Sequence, residues 1–423
     1  MSVVEDTYVD DDWPKMPDGS DFNGKQLLAL VHNGKSPLFW NVNLLIQEIE
    51  KNLNAQVVDI PYLDKGSNNY GFHIKLSNRP DIVARLARGD INMPNFDGFP
   101  VQSQVAEIKF EVAAYELLRS KSNVPVSRLL YHRIPLEHDG PRLDLPSDIT
   151  GRRLLLFEKA EGGNIKWSSI SQEEKSYLLA HSASIRASLF QFNLPLDFAT
   201  IWLRERLFEQ KPRSLPIPVA PTREFCIALF TSKIEATIGD IGDMIGWESD
   251  NCTVGPIAAA AKQSFLRLVS YIMPADDDQN SLYRLVLEHG DFGVHNMSIE
   301  IGTNQPRVTS LYDWETGHIV PAILSVPSMA VTVDLVAGKN ACPLITRVPR
   351  DATPHDIAEY ETWAKHYFKI LFIQAPSYKR VIQAGSDVRH LWFALRDWRG
   401  EEPERYFGEL GTWAEEMLNK LGA

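Results

Sequence analysis

Residues 287–315, LEHGDFGVHNMSIEIGTNQPRVTSLYDWE, carry the oxygen donors with the most telling spacing in this chain of 423 residues. Asp291 is followed five positions on by Asn296, and the turn GTNQP, residues 302–306, separates Asn296 from Asp313. A carboxylate at Asp291 can accept the hydrogen bond of a hydroxyl and hold its oxygen in line for attack. The amide oxygen of Asn296 and the carboxylate of Asp313, returned by the far strand of a hairpin, are hard ligands. They suit Mg²⁺, which takes few protein groups and keeps several waters. G-x-S-x-G, a metal-binding histidine pair and a paired catalytic cysteine are all absent, which disfavours hydrolase chemistry.

The string H-G-D-x-x-x-x-N followed by D-W-E resembles the catalytic and metal-binding loops of the aminoglycoside phosphotransferase family, small-molecule relatives of protein kinases. Their kinase counterpart H-R-D-L-x-x-x-N has the same step from Asp to Asn. The resemblance implies ATP-dependent transfer of the γ-phosphoryl group to a hydroxyl of a small molecule. Asp291 would be base or orienter, Asn296 and Asp313 would hold Mg²⁺, and His289 would support the loop without reacting. Such transfer needs little covalent help from protein, only an aligned acceptor and cations on the phosphate oxygens. Trp314 reads as core. Two departures stand out: the 17 residues from Asn296 to Asp313 make a longer hairpin than the family pattern, and Gly293 replaces the lysine of serine/threonine kinases. With A-P-E also missing, a protein acceptor is disfavoured.

Several elements must position these groups. Residues 25–54 have helical periodicity broken by Gly34 and Pro37, and residues 55–86 read as three strands joined by the turns DKGSNNYG and SNRPD. A helix is predicted over 105–119, then two strands within VPVSRLLYHRI and GRRLLLFEKAEG. A mostly helical region follows from residue 171 to the end, broken by KPRSLPIPVAPT and by one short β patch at 297–313. The expected fold is therefore α+β: a protein-kinase-like bilobal fold, with a small five-stranded antiparallel sheet lobe, a large mainly helical lobe and a cleft between them. The expected boundaries are an acidic flexible tail over 1–24, a nucleotide-binding lobe over 25–157, and a catalytic and substrate lobe over 158–423. Residues 200–285 and the C-terminal helices would shape the acceptor pocket.

The turn from Gly66 to Phe72 is similar to the family's G-S-x-N-x-x-[FY] phosphate-covering turn, which implies phosphate contacts from Gly66, Ser67 and Asn69. Taken without the resemblance it is an ordinary hairpin turn. Arg85, in IVARLA, occupies the place of the kinase phosphate-binding lysine, and V-A-R there resembles fungal-type members. Arginine keeps its charge and can grip phosphate bidentately; Lys75 is the competing cation. At about 100° per residue, Glu111 falls at about 300° from Ile108, between Tyr115 at about 340° and Leu118 at about 280°. A carboxylate in that apolar arc requires a cation, and Arg85 is the expected one. Glu107 is the runner-up. Chain order places an adenine-binding hinge at Glu158, Lys159 and Ala160.

A net charge of −12 without any Lys/Arg run argues against nucleic acid and against an anionic membrane surface. Three distant cysteines suit a reducing compartment, and the absence of any apolar span makes the cytoplasm the expected location. Acidic clusters at Asp276, Asp277 and Asp278 and at Glu401, Glu402 and Glu404 favour a neutral or cationic acceptor over an anionic one. Alternatives are a degenerate nucleotide-binding pseudokinase and a kinase of choline-like or sugar metabolites or of protein.

Overall fold

The computed structural model describes residues 13–423 apart from 17, 94–95, 97, 99, 139–147, 208–211, 216, 247–251, 276–280 and 303–304. The acidic positions of residues 1–12 and the run Asp276, Asp277 and Asp278 lie outside the described residues. The chain forms two compact units. One holds the residues up to Lys121 with Val126–Glu161, the other Ser122–Pro125 with Gly162–Ala423.

The first unit opens with two helices, α1 (Leu27–His32) and α2 (Val42–Leu53), the second capped by the Asn41 side chain, which accepts from the Asn43 N–H at 3.0 Å. Val42, Leu45, Ile49 and Leu53 recur at helical spacing and are the buried face of α2. Strands β1 (Val57–Lys65), β2 (Asn69–Leu76) and β3 (Ile82–Ala87) follow, then α3 (Val101–Lys121), β4 (Leu129–Arg133) and β5 (Leu154–Glu158). The five strands make one antiparallel sheet in the order β1-β2-β3-β5-β4. Side chains alternate across it. Ala84 and Leu86 join Phe72, Ile74, Leu154 and Leu156 in a core with the apolar face of α2. Arg85, between them in sequence, faces the opposite way and reaches Glu111 on α3. Trp13 and Phe22 also enter this core, and the Trp13 indole donates to the Phe22 carbonyl at 2.9 Å. Trp13 and Phe22 are thus buried within the span 1–24 that the sequence suggested as a flexible tail. Burying such side chains contributes roughly 2–3 kcal/mol each.

The second unit is mainly helical. Its first half contains α4 (Gln172–Gln191), α5 (Leu196–Trp202), α6 (Arg223–Thr237), the two-residue strands β6 (Met244–Ile245) and β7 (Cys252–Thr253), and α7 (Pro256–Ile272). Next come β8 (Leu285–Glu288), the hairpin β9 (Met297–Glu300) and β10 (Arg307–Leu311), and β11 (His318–Pro321), which pairs with β8. Three strands then form a small sheet, β12 (Met329–Ala330), β13 (Asp334–Ala337) and β14 (Pro343–Thr346), before helices α8 (Pro354–Gln374), α9 (Pro376–Ala384), α10 (Ser386–Asp397) and α11 (Pro403–Leu421). This sheet adds strands beyond residue 320, where the expectation was a mostly helical region with its one short β patch at 297–313. Its strands are only two to four residues long, too short to show a period, and are punctuated by Gly338, Asn340 and Pro343. The fold class is α+β, with the five-stranded sheet in one unit and the helices concentrated in the other. None of the three cysteines is in a disulfide, and among the described residues no helix is long and apolar enough to cross a membrane.

Candidate active site

The loop between β8 and β9 is built on two anchors. His289 is fully buried between β8 and the end of β10, with its ring 4.6 Å from that of the buried Trp314. Its Nε2–H donates to the Tyr312 carbonyl at 2.8 Å. Burial pushes its pKa down to about 4, so the ring is neutral and structural near pH 7. The second anchor is a cross-link to the hairpin: the Tyr312 N–H donates to the Asn296 carbonyl at 3.0 Å, and the Tyr312 hydroxyl to the His295 carbonyl at 2.7 Å. Gly290 has φ 83°, and a Cβ there would lie 2.2 Å from the Thr316 carbonyl oxygen, so only glycine fits.

Held this way, Asp291 and Asn296 meet. The Asn296 amide Nδ2 donates to the Asp291 backbone carbonyl at 2.9 Å and to its Oδ2 at 3.0 Å. With both donors of this buried amide directed at Asp291, the amide oxygen is left as an acceptor at a fixed position. Asp313, at the far end of β10, takes the left-handed conformation with φ 65° and ψ 60°, which aspartate tolerates better than most residues. Asn296 offers an amide oxygen and Asp313 a carboxylate, donors of the hard kind that a divalent cation takes.

His295 is the residue that sequence reasoning missed. Its Nε2 lies 2.9 Å from Oδ2 of Asp291, both side chains being half-exposed. The hydrogen bond from His295, then burial in the opposite sense, sets the Asp291 carboxyl below its ordinary value. The same bond raises His295, with Asp313 supporting the charge and Arg347 opposing it. A basic residue four positions after Asp291, inside the variable part of the motif, was the available signal. Arg347 follows β14 and is itself paired with Asp334.

Beside this loop lies a cavity of about 130 Å³. Gly290 and Phe292 contribute to its wall, as do Arg186, Glu288, Arg206, His318, Trp392 and Arg396. Arg186 and Glu288 form a buried ion pair. Arg206 donates to the carbonyl oxygens of Gly317, at 2.8 Å, and Glu315. Burial depresses His318 to about 4, and the charges of Arg396 and Arg206 add to the effect.

In the first unit the expected cation and carboxylate are together: Arg85 Nη1 lies 2.8 Å from Glu111 Oε1 and Nη2 3.3 Å from Oε2. Glu111 is buried, whereas Glu107 lies nearer Arg153, at 3.9 Å, and Lys75 nearer Asp59, also at 3.9 Å. The turn of Gly66, Ser67 and Asn69 joins β1 to β2 and is held from outside, since Arg88 Nη1 donates to the Gly66 carbonyl at 2.9 Å. Arg88 gave no sequence signal. Where the sequence suggested a hinge, the Glu158 N–H donates to the Arg128 carbonyl and that of Lys159 to the Asp81 carbonyl, both at 2.9 Å. A donor role for the backbone there therefore narrows to Ala160.

No protein-family model matches the chain. No curated protein matches it either. Solved structures do resemble it at a distance. The APH(2")-IIa enzyme in a ternary complex with streptomycin and ATP shares 11% identity, with 88% of this chain and 96% of that one covered and a TM-score of 0.42. Spectinomycin phosphotransferase APH(9)-Ia, with ADP and spectinomycin, shares 12% over 88% and 98% at a TM-score of 0.37. The GDP complex of aminoglycoside 2'-phosphotransferase-IIIa shares 12% over 89% and 97% at 0.38.

Proposed function

We propose that this protein transfers the γ-phosphoryl group of ATP to a hydroxyl of a small molecule. The observation that supports this reading is the locked pair Asp291–Asn296, in which one amide orients a half-exposed carboxylate and keeps its own oxygen as an acceptor. Asp291 accepts the acceptor's hydroxyl proton as a hydrogen bond and points its oxygen along the line of attack. A carboxyl held below its ordinary pKa is a weak base, so orientation is its main contribution. Asn296 and Asp313 are the residues that would hold Mg²⁺, which when bound would neutralise charge on the phosphate oxygens. Arg85, oriented by Glu111, grips phosphate oxygens, and the backbone of the Gly66, Ser67 and Asn69 turn covers them. Ala160 contributes a backbone donor for the base.

The cavity beside Asp291 favours an acceptor with an anionic group. Arg206, Arg396 and the Arg186–Glu288 pair give its wall more positive than negative side chains, contrary to the neutral or cationic acceptor suggested by surface charge. Groups in the wall act on an acceptor at close range, whereas charges exposed on the surface are screened over about 8–10 Å of salt solution.

The test is Asp291→Asn, assayed for ATP-dependent phosphorylation across a panel of hydroxylated metabolites. Turnover should fall about 10²- to 10⁴-fold while nucleotide affinity stays near the wild-type value. Near-normal turnover, or nucleotide binding without phosphorylation of any acceptor by the wild type, would remove the reading in favour of a nucleotide-binding module.

A further inference from the structure

The small sheet β12-β13-β14 hangs on the loop that carries Asp291. The Ala330 N–H donates to the Phe292 carbonyl at 2.9 Å, and Ala330 pairs with Gly293 in parallel. Ala330 stands opposite Asp334 on β13, and Asp334 opposite Thr346 on β14, which Arg347 follows. Directly paired residues project to the same side of a ladder. A Cβ on Gly293 would meet the His295 ring at 2.5 Å and the Ala330 Cβ at 2.8 Å. The Asp334 side chain therefore lies on the side where His295 holds Asp291, two strand spacings or about 10 Å from Gly293.

Arg347 is fixed to that carboxylate. Its Nε and Nη2 donate to the two Asp334 oxygens, and among the described residues no hydrogen bond engages Nη1. The Asp334 side chain is 20% exposed and that of Arg347 70%, so the pair is anchored at the carboxylate and open at the guanidinium. The hydrogen bond to Asp334 raises Arg347 above its ordinary value, burial opposes it, and the charges of Asp334 and Asp291 add to the rise. The Arg347 backbone is left-handed, with φ 52°, a conformation that arginine disfavours and that persists only where the surroundings impose it. Arg347 is not in the wall of the cavity beside Asp291.

We propose that Arg347 contacts the phosphoryl group during its transfer, an inference that rests on the phosphotransfer reading above. The acceptor oxygen bonds to the γ-phosphorus as the bond to the oxygen that leaves on ADP breaks, and the hydroxyl proton departs through Asp291 to water. Charge in that transition state is spread over the three non-bridging oxygens, and a cation held against one of them lowers the barrier. Gly293 has no side chain to supply it, whereas Arg347 brings a charge, a fixed orientation and an open N–H to the same side of the loop. Because Arg347 stands outside the cavity assigned to the acceptor, its charge serves the other reactant.

The experiment titrates the full-length protein by calorimetry with Mg-ADP, alone and with aluminium fluoride, a mimic of the phosphoryl group in transfer. Fluoride should tighten Mg-ADP at least about tenfold in the wild type. Arg347→Gln should bind Mg-ADP as the wild type does yet lose most of that gain, and Arg347→Lys should recover part of it. In turnover Arg347→Gln should lose about 10²-fold in kcat with KM for ATP unchanged. Arg347→Gly, which suits the left-handed backbone, should melt no lower than the wild type and lose the same gain, and it stands in if Arg347→Gln does not fold. The full gain in a folded Arg347→Gln or Arg347→Gly protein would overturn the role of Arg347 alone. Mg-ADP binding without any fluoride gain in the wild type would also overturn it, since no transferring group would then be held. A wild type that binds no Mg-ADP would overturn the phosphotransfer reading and this proposal together.

Discussion

The Nε2 atom of His295 lies 2.9 Å from Oδ2 of Asp291, on the oxygen that also accepts from the Asn296 amide. Both of these bonds fall on Oδ2, and neither engages the other oxygen of Asp291. Asp291, with its pKa lowered, contributes to the folded loop above the ordinary carboxylate range and loses that contribution as pH falls through the lowered value. His295, raised above 6.5, contributes fully below 6.5 and loses it as pH rises through the raised value. The ion pair is therefore complete in mildly acidic solution and weakens towards the alkaline side. In an NMR titration the His295 imidazole should titrate above 6.5 in the wild type and lower in Asp291→Asn. An identical midpoint in both would show that the pair is not electrostatically coupled. His295→Gln should reduce activity by up to about fivefold at about pH 6 and converge with the wild type at about pH 9, the scale of a half-exposed pair.

Removing one member of the buried Arg85–Glu111 pair strands the other charge. Glu111→Gln should destabilise the protein by about 3–5 kcal/mol in denaturant unfolding, since Glu111 is 1% exposed and its partner 11%. The double variant Arg85→Met/Glu111→Leu should recover most of that stability, yet remain as inactive as Arg85→Met alone. Additive losses of stability would mean the two side chains act independently.

Asp313→Ala should weaken Mg-ATP binding in calorimetry about tenfold or more, while metal-free ATP binds as before. Equal Mg-ATP affinity in variant and wild type would exclude Asp313 as a metal ligand.

Gly290→Ala places a Cβ 2.2 Å from the Thr316 carbonyl oxygen in a left-handed residue. The loop has to move, so activity should fall sharply while stability drops by only about 1–3 kcal/mol. Thermal melting and turnover measured on the same preparation check this, and full activity would show that the loop relaxes without displacing Asp291.

Among acceptors of similar size, carboxylated alcohols should be phosphorylated with lower KM than amino alcohols. The preference should shrink in Arg396→Gln and at high salt. A preference for the amino series would restore the cationic acceptor expected from surface charge.

Local chemistry was legible in the chain itself. Asp291 and Asn296 are five residues apart, so one loop brings them together whatever surrounds it, and Glu111 lies in the apolar arc of a regular helix, where only a cation can accompany it. The five strands were readable from alternation and turn residues for the same reason: their periods are set within a few positions. Contacts between distant segments were not readable. Arg88 on the Gly66 turn, and Arg206 and Arg396 beside the Asp291 loop, arise from packing of segments separated by tens to hundreds of residues, and no local period encodes them. The strands over 329–346 escaped notice because two to four residues are too few to show a period. His295 stood within the motif, but whether its ring turns towards Asp291 or away depends on the Tyr312 cross-link that closes the loop. That closure is a tertiary contact.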